Sequence, residues 1–328
     1  MTRPGEVALI DRFFAPLATD AAALGLLDDT AVFTPAPGND LVVTADALAA
    51  GVHFFADDPA DLVARKALRV NLSDLAAKGA TPRGYLLTIA LPRDWTESWL
   101  SAFSAGLAAD QAEFAVPLLG GDTIATDGPL TLSITALGEV AAGRALRRAA
   151  ARPGDRLFVS GTIGDAALGL ALRLNPELAG DVSAGEAQYL VGRYLLPRPR
   201  LALGPALRAH ARAGIDVSDG LVTDIGKLCR AAGLGARLNA DRVPLSPGAR
   251  ALLAARGELL ATVIDGGDDY EIVAAVDPAS ADAFAEAAAL AGVPVVDIGV
   301  LDGRQGTVRL VDESGREISL ERRGYEHF

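Results

Sequence analysis

Cysteine is almost missing from this chain of 328 residues, in which Cys229 stands alone. No disulfide framework and no cysteine-based zinc site can form within it. Histidine is nearly as scarce: His53, His210 and His327 are the whole supply, too few for a His-rich metal centre. Positive charge is in deficit, with 30 Lys and Arg against 42 Asp and Glu and a formal net charge of -12. A nucleic-acid binder normally shows the reverse, a basic patch or stripe. The deficit does not exclude anionic small substrates, because divalent cations can bridge carboxylates and phosphates. Long apolar runs are absent as well; none approaches the ~18 uncharged residues expected of a membrane span. The opening "MTRPGEVALIDRFF" is not read as a secretory signal, because Glu6 and Asp11 interrupt any apolar core. These absences lead us to expect a cytoplasmic protein with no membrane and no nucleic-acid partner.

Half of the residues are hydrophobic and 22% are charged, which is ample for buried cores. The length suggests two domains or one large one. Residues 5–17 have Val7, Ile10, Phe13, Phe14 and Leu17 at helical spacing. "DLVVTAD" (40–46) reads as a strand ending at Asp46, and residues 61–80 as a helix stopped by Gly79 and Pro82. Strands are expected at 84–92 and 130–140, with a helix over 95–115 between them. The basic, Ala-rich segment 141–155 ends in Pro153-Gly154 and marks the expected boundary between domains 1–141 and 142–328. Beyond it we expect strands at 155–161, 236–245 and 271–276, helices at 165–174 and 280–291, and a hairpin over 307–320. The alternation points to an α/β (α+β) protein of two domains, with mixed sheets and helices packed on them.

Acids recur in turn-like settings. They are Asp28-Asp29, Asp46, Asp74 in "VNLSDLAAKGA", Asp122 in "LLGGDTIATDG", the group Asp216, Asp219 and Asp224 in "GIDVSDGLVTDIGKL", and "DGGDDYEI" at 265–272. Each has a plainer reading. Asp74 fits a solvated helix face, Asp122 an Asx turn, and Asp46 and Asp219 the caps of following helices. Asp224 lies further into a helix and fits a structural or solvated role. Taken together the acids suit Mg²⁺ or Mn²⁺, hard ions that take oxygen ligands and keep some water. Other chemistries fit worse. No G-x-x-x-x-G-K-[ST] and no G-x-G-x-x-G is present, and Asp216 stands where a nucleophile elbow needs glycine. The glycines of "SGTIGDAALG" (160–169) suit either a phosphate at a helix N-terminus or a tight turn. Arg147 and Arg148 suit either a nucleotide phosphate or a solvated linker, and His53 a structural role among aromatics.

The motifs "LVVTADALAAGVHF", "KALRVNLSDLAAKGATPRGYLLTIALP", "LLGGDT", "TALGEV", "GRALRRAAARPGD", "VSGTIGDAALGL", "IDVSDGL", "GGDDYEI" and "GYEHF" occur in this order across nearly the whole chain. In this set the chain resembles the thiamine-monophosphate kinases, within the aminoimidazole ribonucleotide synthetase-like superfamily. The resemblance implies a homodimer formed by the N-terminal domain and a C-terminal domain that closes over the site. It implies transfer of the γ-phosphoryl of ATP to thiamine monophosphate, giving thiamine diphosphate and ADP, with several Mg²⁺ ions. By motif, Asp29, Thr44, Asp46, Asp74, Asp122, Asp216 and Asp219 match metal positions. Gly121, Asp122, Arg148 and Ser218 match nucleotide contacts, and His53, Asp268 and Tyr325 match substrate contacts. No general base is implied, since the accepting phosphate is already anionic. Three positions depart from the family pattern: Leu27 and Ala45 replace a glycine and a hydroxyl residue, and Asp268 replaces a glutamate. A synthetase of the same superfamily with another substrate, or a nucleotide-binding dimer without turnover, are the competing readings.

Overall fold

A computed structural model describes residues 4–320. Contacts divide the chain into two units, Met1–Leu75 with Ala80–Gly143, and Ala76–Gly79 with Arg144–Phe328.

The first unit is built on alternation. In β1 (Asn39–Ala49), Leu41, Val43, Ala45 and Ala47 are exposed, while Val42, Thr44, Asp46 and Leu48 turn inward. This is the period of a strand with one covered face. Before it lies a short N-terminal helix, α1 (Glu6–Leu9), continued by a wider turn at Ile10–Phe14 and a tighter one at Ala15–Leu17. After it come α2 (Ala60–Ala77), β2 (Thr81–Pro92), α3 (Glu97–Phe114), β3 (Leu118–Thr126) and β4 (Thr131–Ala141). The sheet runs β1-β4-β2-β3, antiparallel except for the parallel pair β2/β3. Both long helices lie on one face: Asn71 and Asp74 of α2 bond to β1, and Gln111 of α3 donates to Tyr85 of β2. Buried on that face are Tyr85, Leu87, Ile89, Leu132 and Ile134. Helix α3 begins at Thr96, whose hydroxyl accepts the Trp99 N–H at 3.2 Å. It is tied to α2 by Asp110, which accepts from Arg65 and Arg69, both at 2.7 Å from Nε, with no exposure of its own. The other face of the sheet is open, with Leu41, Val43, Leu86 and Ile124 exposed.

The second unit contains β5 (Arg156–Ser160), α4 (Asp165–Leu174), α5 (Ala184–Leu195), α6 (Gly204–His210), β6 (Ala211–Val217), α7 (Leu221–Ala232) and β7 (Gly235–Asn239). It continues with α8 (Pro247–Ala255), α9 (Leu260–Asp265), β8 (Glu271–Val276), α10 (Ala281–Leu290), β9 (Val295–Asp302) and β10 (Val308–Val311). Its sheet runs β10-β7-β9-β5-β8-β6 and is antiparallel except for β10/β7. Strand β8 reads "EIVAAV" and is buried throughout, because it is covered on both faces. Val273 and Ala275 join Leu221, Ile225 and Leu228 of α7 in one core. Ile272, Ala274 and Val276 join Leu207 of α6 and Phe284 of α10 in another. Both sheets are thus mixed and carry packed helices, as expected from the alternation.

Several local expectations fail. Strand β1 continues through Asp46 to Ala49, and the next helix begins only at Ala60, so Asp46 is not a cap. "LLGGDTIAT" is a strand and not a turn; a register shift between Tyr85 and Leu86 lets its glycines lie against β2. Gly121 has φ of 153°, and a Cβ there would lie 1.8 Å from the Leu87 carbonyl oxygen. Close backbone approach within a sheet, not turn formation, explains the paired glycines. The expected hairpin over 307–320 is reduced to a bridge between Val311 and Glu317, because β10 takes β7 as its partner.

Candidate functional site

Chemistry-bearing residues gather separately within each unit. In the first, the segment from Glu6 to Phe33 and the β2–β3 part of the sheet line a cavity of about 680 Å³. Asp28, Asp29 and Thr30 line it from the N-terminal segment, and Gly120, Gly121, Asp122 and Thr123 from β3. Register puts Asp122 beside Thr88, both on the open face. Ile10, Phe14, Leu26, Phe33 and Leu118 supply apolar wall. The cavity thus combines exposed carboxylates with an apolar lining, the mixture expected of a small-molecule site. Leu24 and Leu26, just before the acids, hold left-handed backbone with φ of 49° and 57°. That conformation is costly for leucine.

Thr44, Asp46 and Asp74 lie on the opposite face of the same sheet. The Thr44 hydroxyl donates to the Asp74 carboxylate, and the Asp46 N–H donates to Asn71 Oδ1 at 3.0 Å. Asn71 is fully buried and donates in turn to the Ala67 carbonyl at 3.0 Å. Asp74 is therefore bound to β1 and is not merely a solvated helix face. His53 lies in the turn after β1: its Nδ1 accepts the Ala49 N–H at 3.1 Å, and its carbonyl accepts from Lys66.

The second unit concentrates its acids around the turn between β6 and α7. Asp216 is the last residue but one of β6, nearly buried, opposite Ile272 of β8. Ser218, Asp219 and Gly220 make the turn. Gly220 has φ of 130°, and a Cβ there would meet Asp265 Oδ1 at 2.3 Å, so the site requires glycine. Asp265 accepts from the Thr223 N–H and hydroxyl, each at 2.9 Å. Asp224 accepts the N–H groups of Ser218 and Asp219 at 2.9 and 2.8 Å, and Lys227 donates to it at 2.7 Å. Lys227 also bonds Asp219. Burial pushes the Asp224 carboxyl above its ordinary range, against the pull of Lys227. Asp268 holds left-handed backbone, with its N–H on the Ser218 carbonyl at 2.7 Å, and Tyr270 donates to its carboxylate at 3.3 Å.

Next to this turn, Asp269 is buried and accepts the Gly164 N–H at 2.8 Å. Burial pushes its carboxyl well up. The start of α4 is thereby occupied from within the chain, and the Gly161 and Ile163 N–H groups go to Pro294 and Pro244 carbonyls. Of the two readings of "SGTIGD", the tight turn holds. Glu271, also buried, accepts from Ser160 at 2.6 Å, Arg200 Nε at 2.7 Å and Arg193 at 3.0 Å. Arg148 opens a short turn, Arg148–Ala150, half-exposed and without an ion-pair partner among the described residues. Tyr325 lies outside the described residues.

The structure thus brings Asp29, Gly121 and Asp122 to one cavity, joins Thr44 to Asp74, and places Ser218, Asp219 and Asp268 around one turn. Among the described residues no three His, Cys, Asp or Glu side chains converge to hold a metal ion. Sequence reasoning passed over Asn71, although it stands three residues before Asp74 and so shares its helical face. It named the acid cluster at 265–272 without giving Asp265 or Asp269 a role; both are buried acceptors.

Residues 27–140 match the AIR synthase related protein, N-terminal domain, and residues 152–312 match the C-terminal domain of the same class. Fold and sites together therefore define a two-domain AIR synthase related protein. Thiamine-monophosphate kinase of Caulobacter vibrioides is 46% identical over 328 residues, spanning 99% of this chain and 91% of that protein. The crystal structure of thiamine-monophosphate kinase from Stenotrophomonas maltophilia K279a is 40% identical, with a TM-score of 0.84 over 96% of this chain and 98% of that one. AaThiL complexed with AMPPCP and TMP is 28% identical, with a TM-score of 0.78 over 100% of this chain and 99% of that one. The chain belongs to the thiamine-monophosphate kinase family.

Proposed function

We propose that this chain transfers the γ-phosphoryl group of ATP to thiamine monophosphate, giving thiamine diphosphate and ADP, as a step of thiamine diphosphate biosynthesis. The observation that carries the reading is the cavity lined by Asp29, Gly121 and Asp122, in a chain 46% identical to a thiamine-monophosphate kinase. The donor chemistry fits Mg²⁺. Asp29, Thr44, Asp46, Asp74, Asp122, Asp216 and Asp219 offer hard oxygen atoms only. This ion takes one or two carboxylates and completes its shell with water and substrate phosphate, so it needs no three-acid cage. When bound, Mg²⁺ offsets the charge of the phosphates and polarises the group being transferred.

The chain's own residues do the positioning. The Thr44–Asp74 and Asp46–Asn71 bonds fix donors on β1 before any ligand arrives, so little order must be created at binding. Arg148 supplies a fixed positive charge for a nucleotide phosphate. Gly121 lets backbone come close to the nucleotide, and Ser218 contacts it beside the metal ligands Asp216 and Asp219. His53, Asp268 and Tyr325 contact thiamine monophosphate, with the Tyr325 ring against the cationic thiazolium. No general base is required, because the accepting phosphate oxygen already carries charge.

Two further assignments accompany this reading. The open apolar face of the first unit's sheet, with Leu41, Val43, Leu86 and Ile124, suits burial against a second copy in a homodimer. The first unit would then carry dimerisation and most of the ATP and Mg²⁺ ligands, and the second would close the active site. No helix among the described residues is long and apolar enough to cross a membrane, and we place the enzyme in the cytoplasm with its ATP supply. The test is mass detection of thiamine diphosphate and ADP from thiamine monophosphate and ATP. Product with Mg²⁺ and none with a chelator is expected. No product under either condition would defeat the reading.

A further inference from the structure

We propose that Asp224 is a positioning residue for phosphoryl transfer: its carboxylate shapes the Ser218–Asp219 turn that presents nucleotide and metal contacts. The inference rests on the reading of Ser218 and Asp219 given above.

An acid in the first turn of a helix ordinarily sits in solvent, where the helix dipole favours it. Asp224 instead is 1% exposed and reaches back over the start of α7. One oxygen, Oδ2, accepts both the Ser218 and the Asp219 N–H. The carbonyls of the same stretch are taken from the other side, Val217 by the Tyr270 N–H at 2.8 Å and Ser218 by the Asp268 N–H at 2.7 Å. The turn is therefore gripped by an acid through its N–H groups and by 268–270 through its carbonyls. The Ser218 and Asp219 side chains remain half-exposed. Lys227, three residues on, supplies the charge that allows Asp224 to be buried, through its other oxygen at 2.7 Å. A core position filled by an acid costs desolvation, and here that cost is offset at Oδ1 by Lys227 and at Oδ2 by the two N–H groups of the turn.

The experiment uses the full chain with three variants, Asp224→Ala, Asp224→Asn and Asp219→Ala. Three quantities are read for each: Mn²⁺ binding by paramagnetic resonance with a non-hydrolysable ATP analogue, KM for ATP, and KM for thiamine monophosphate. For Asp224→Ala we expect the Mn²⁺ Kd and the KM for ATP to rise about tenfold or more, with KM for thiamine monophosphate within about twofold. Asp224→Asn keeps an acceptor oxygen and loses the charge, so it should recover most of that loss, leaving a shift of about threefold. If the alanine variant does not fold, the asparagine variant decides alone: a shift confined to Mn²⁺ and ATP supports the proposal, and no shift overturns it. Equal losses in both Asp224 variants, or losses shared equally by both substrates, also overturn it. If Asp219→Ala loses Mn²⁺ and ATP while Asp224→Ala does not, the proposal alone falls. If Asp219→Ala loses neither, the reading of the turn falls and takes the proposal with it.

Discussion

Asp28, Asp29 and Asp122 of the first unit are exposed, whereas Asp224, Asp265, Asp269 and Glu271 of the second are at most 5% exposed. The exposed acids line a cavity. The buried ones accept from named N–H, hydroxyl, ammonium or guanidinium groups: Ser218 and Asp219 on Asp224, Thr223 on Asp265, Gly164 on Asp269, Arg193 and Arg200 on Glu271. An acid-rich sequence therefore holds two populations with different work. One is satisfied inside the chain and shapes it. The other has carboxylate oxygens turned outward, available to a cation and through it to phosphate. Asp46 stands between, half-buried, and Asp216 is as buried as the second group yet is proposed as a cation ligand, so these two test where the division falls.

The largest effect is expected there. Asp46→Asn or Asp216→Asn should lower kcat on the order of a thousandfold, about 4 kcal/mol of barrier, while circular dichroism and Tm stay near wild type. Near-normal turnover with saturating Mg²⁺ would remove these two from the ligand set. Next in size is a buried pair that belongs wholly to the fold. Asp110→Ala takes two hydrogen bonds from Arg69, whose side chain is 4% exposed and keeps Glu113 at 2.6 Å, and should cost about 3 kcal/mol in denaturant unfolding. A loss below 1 kcal/mol, roughly that of a surface pair, would show that the helices α2 and α3 do not depend on it.

Much of this was legible before any coordinates, but unevenly. The pattern of "DLVVTAD" predicted most of β1, three residues short of its end. What escaped was long-range. "LLGGDT" carries turn chemistry, yet it is a strand, because Gly121 permits a backbone approach that only β2 makes necessary. Asp224 looked peripheral because its two partners precede it by five and six residues, beyond helical spacing. The parallel pairing of β10 with β7 joins segments about seventy residues apart and left no local mark. Local periodicity reports which face is covered; it does not report what covers it.

Two smaller effects sharpen the contrast in the second unit. Gly220→Ala forces a Cβ toward Asp265 in a backbone conformation alanine avoids, and should cost about 1–3 kcal/mol of stability. An unchanged unfolding midpoint would mean that the turn relaxes at no cost. Cys229 is fully buried, and burial raises its thiol to about 11 from an ordinary 9. The folded state thus holds its proton more tightly than the unfolded state. Stability from this group is complete below pH 9 and is lost as pH rises toward 11, by roughly 2–3 kcal/mol. Unfolding measured across that range should flatten in Cys229→Ala, and the native thiol should not react with a disulfide reagent at pH 8. Rapid labelling of folded protein would contradict the burial.

The division between the two populations of acids is tested most directly by Mn²⁺ titration with an ATP analogue, paired with thermal unfolding, on Asp122→Asn and Asp265→Asn. The account predicts that Asp122→Asn loses bound Mn²⁺ at an unchanged Tm, and that Asp265→Asn keeps its Mn²⁺ and loses Tm. The reverse pattern, Mn²⁺ lost at Asp265 and stability lost at Asp122, would contradict it.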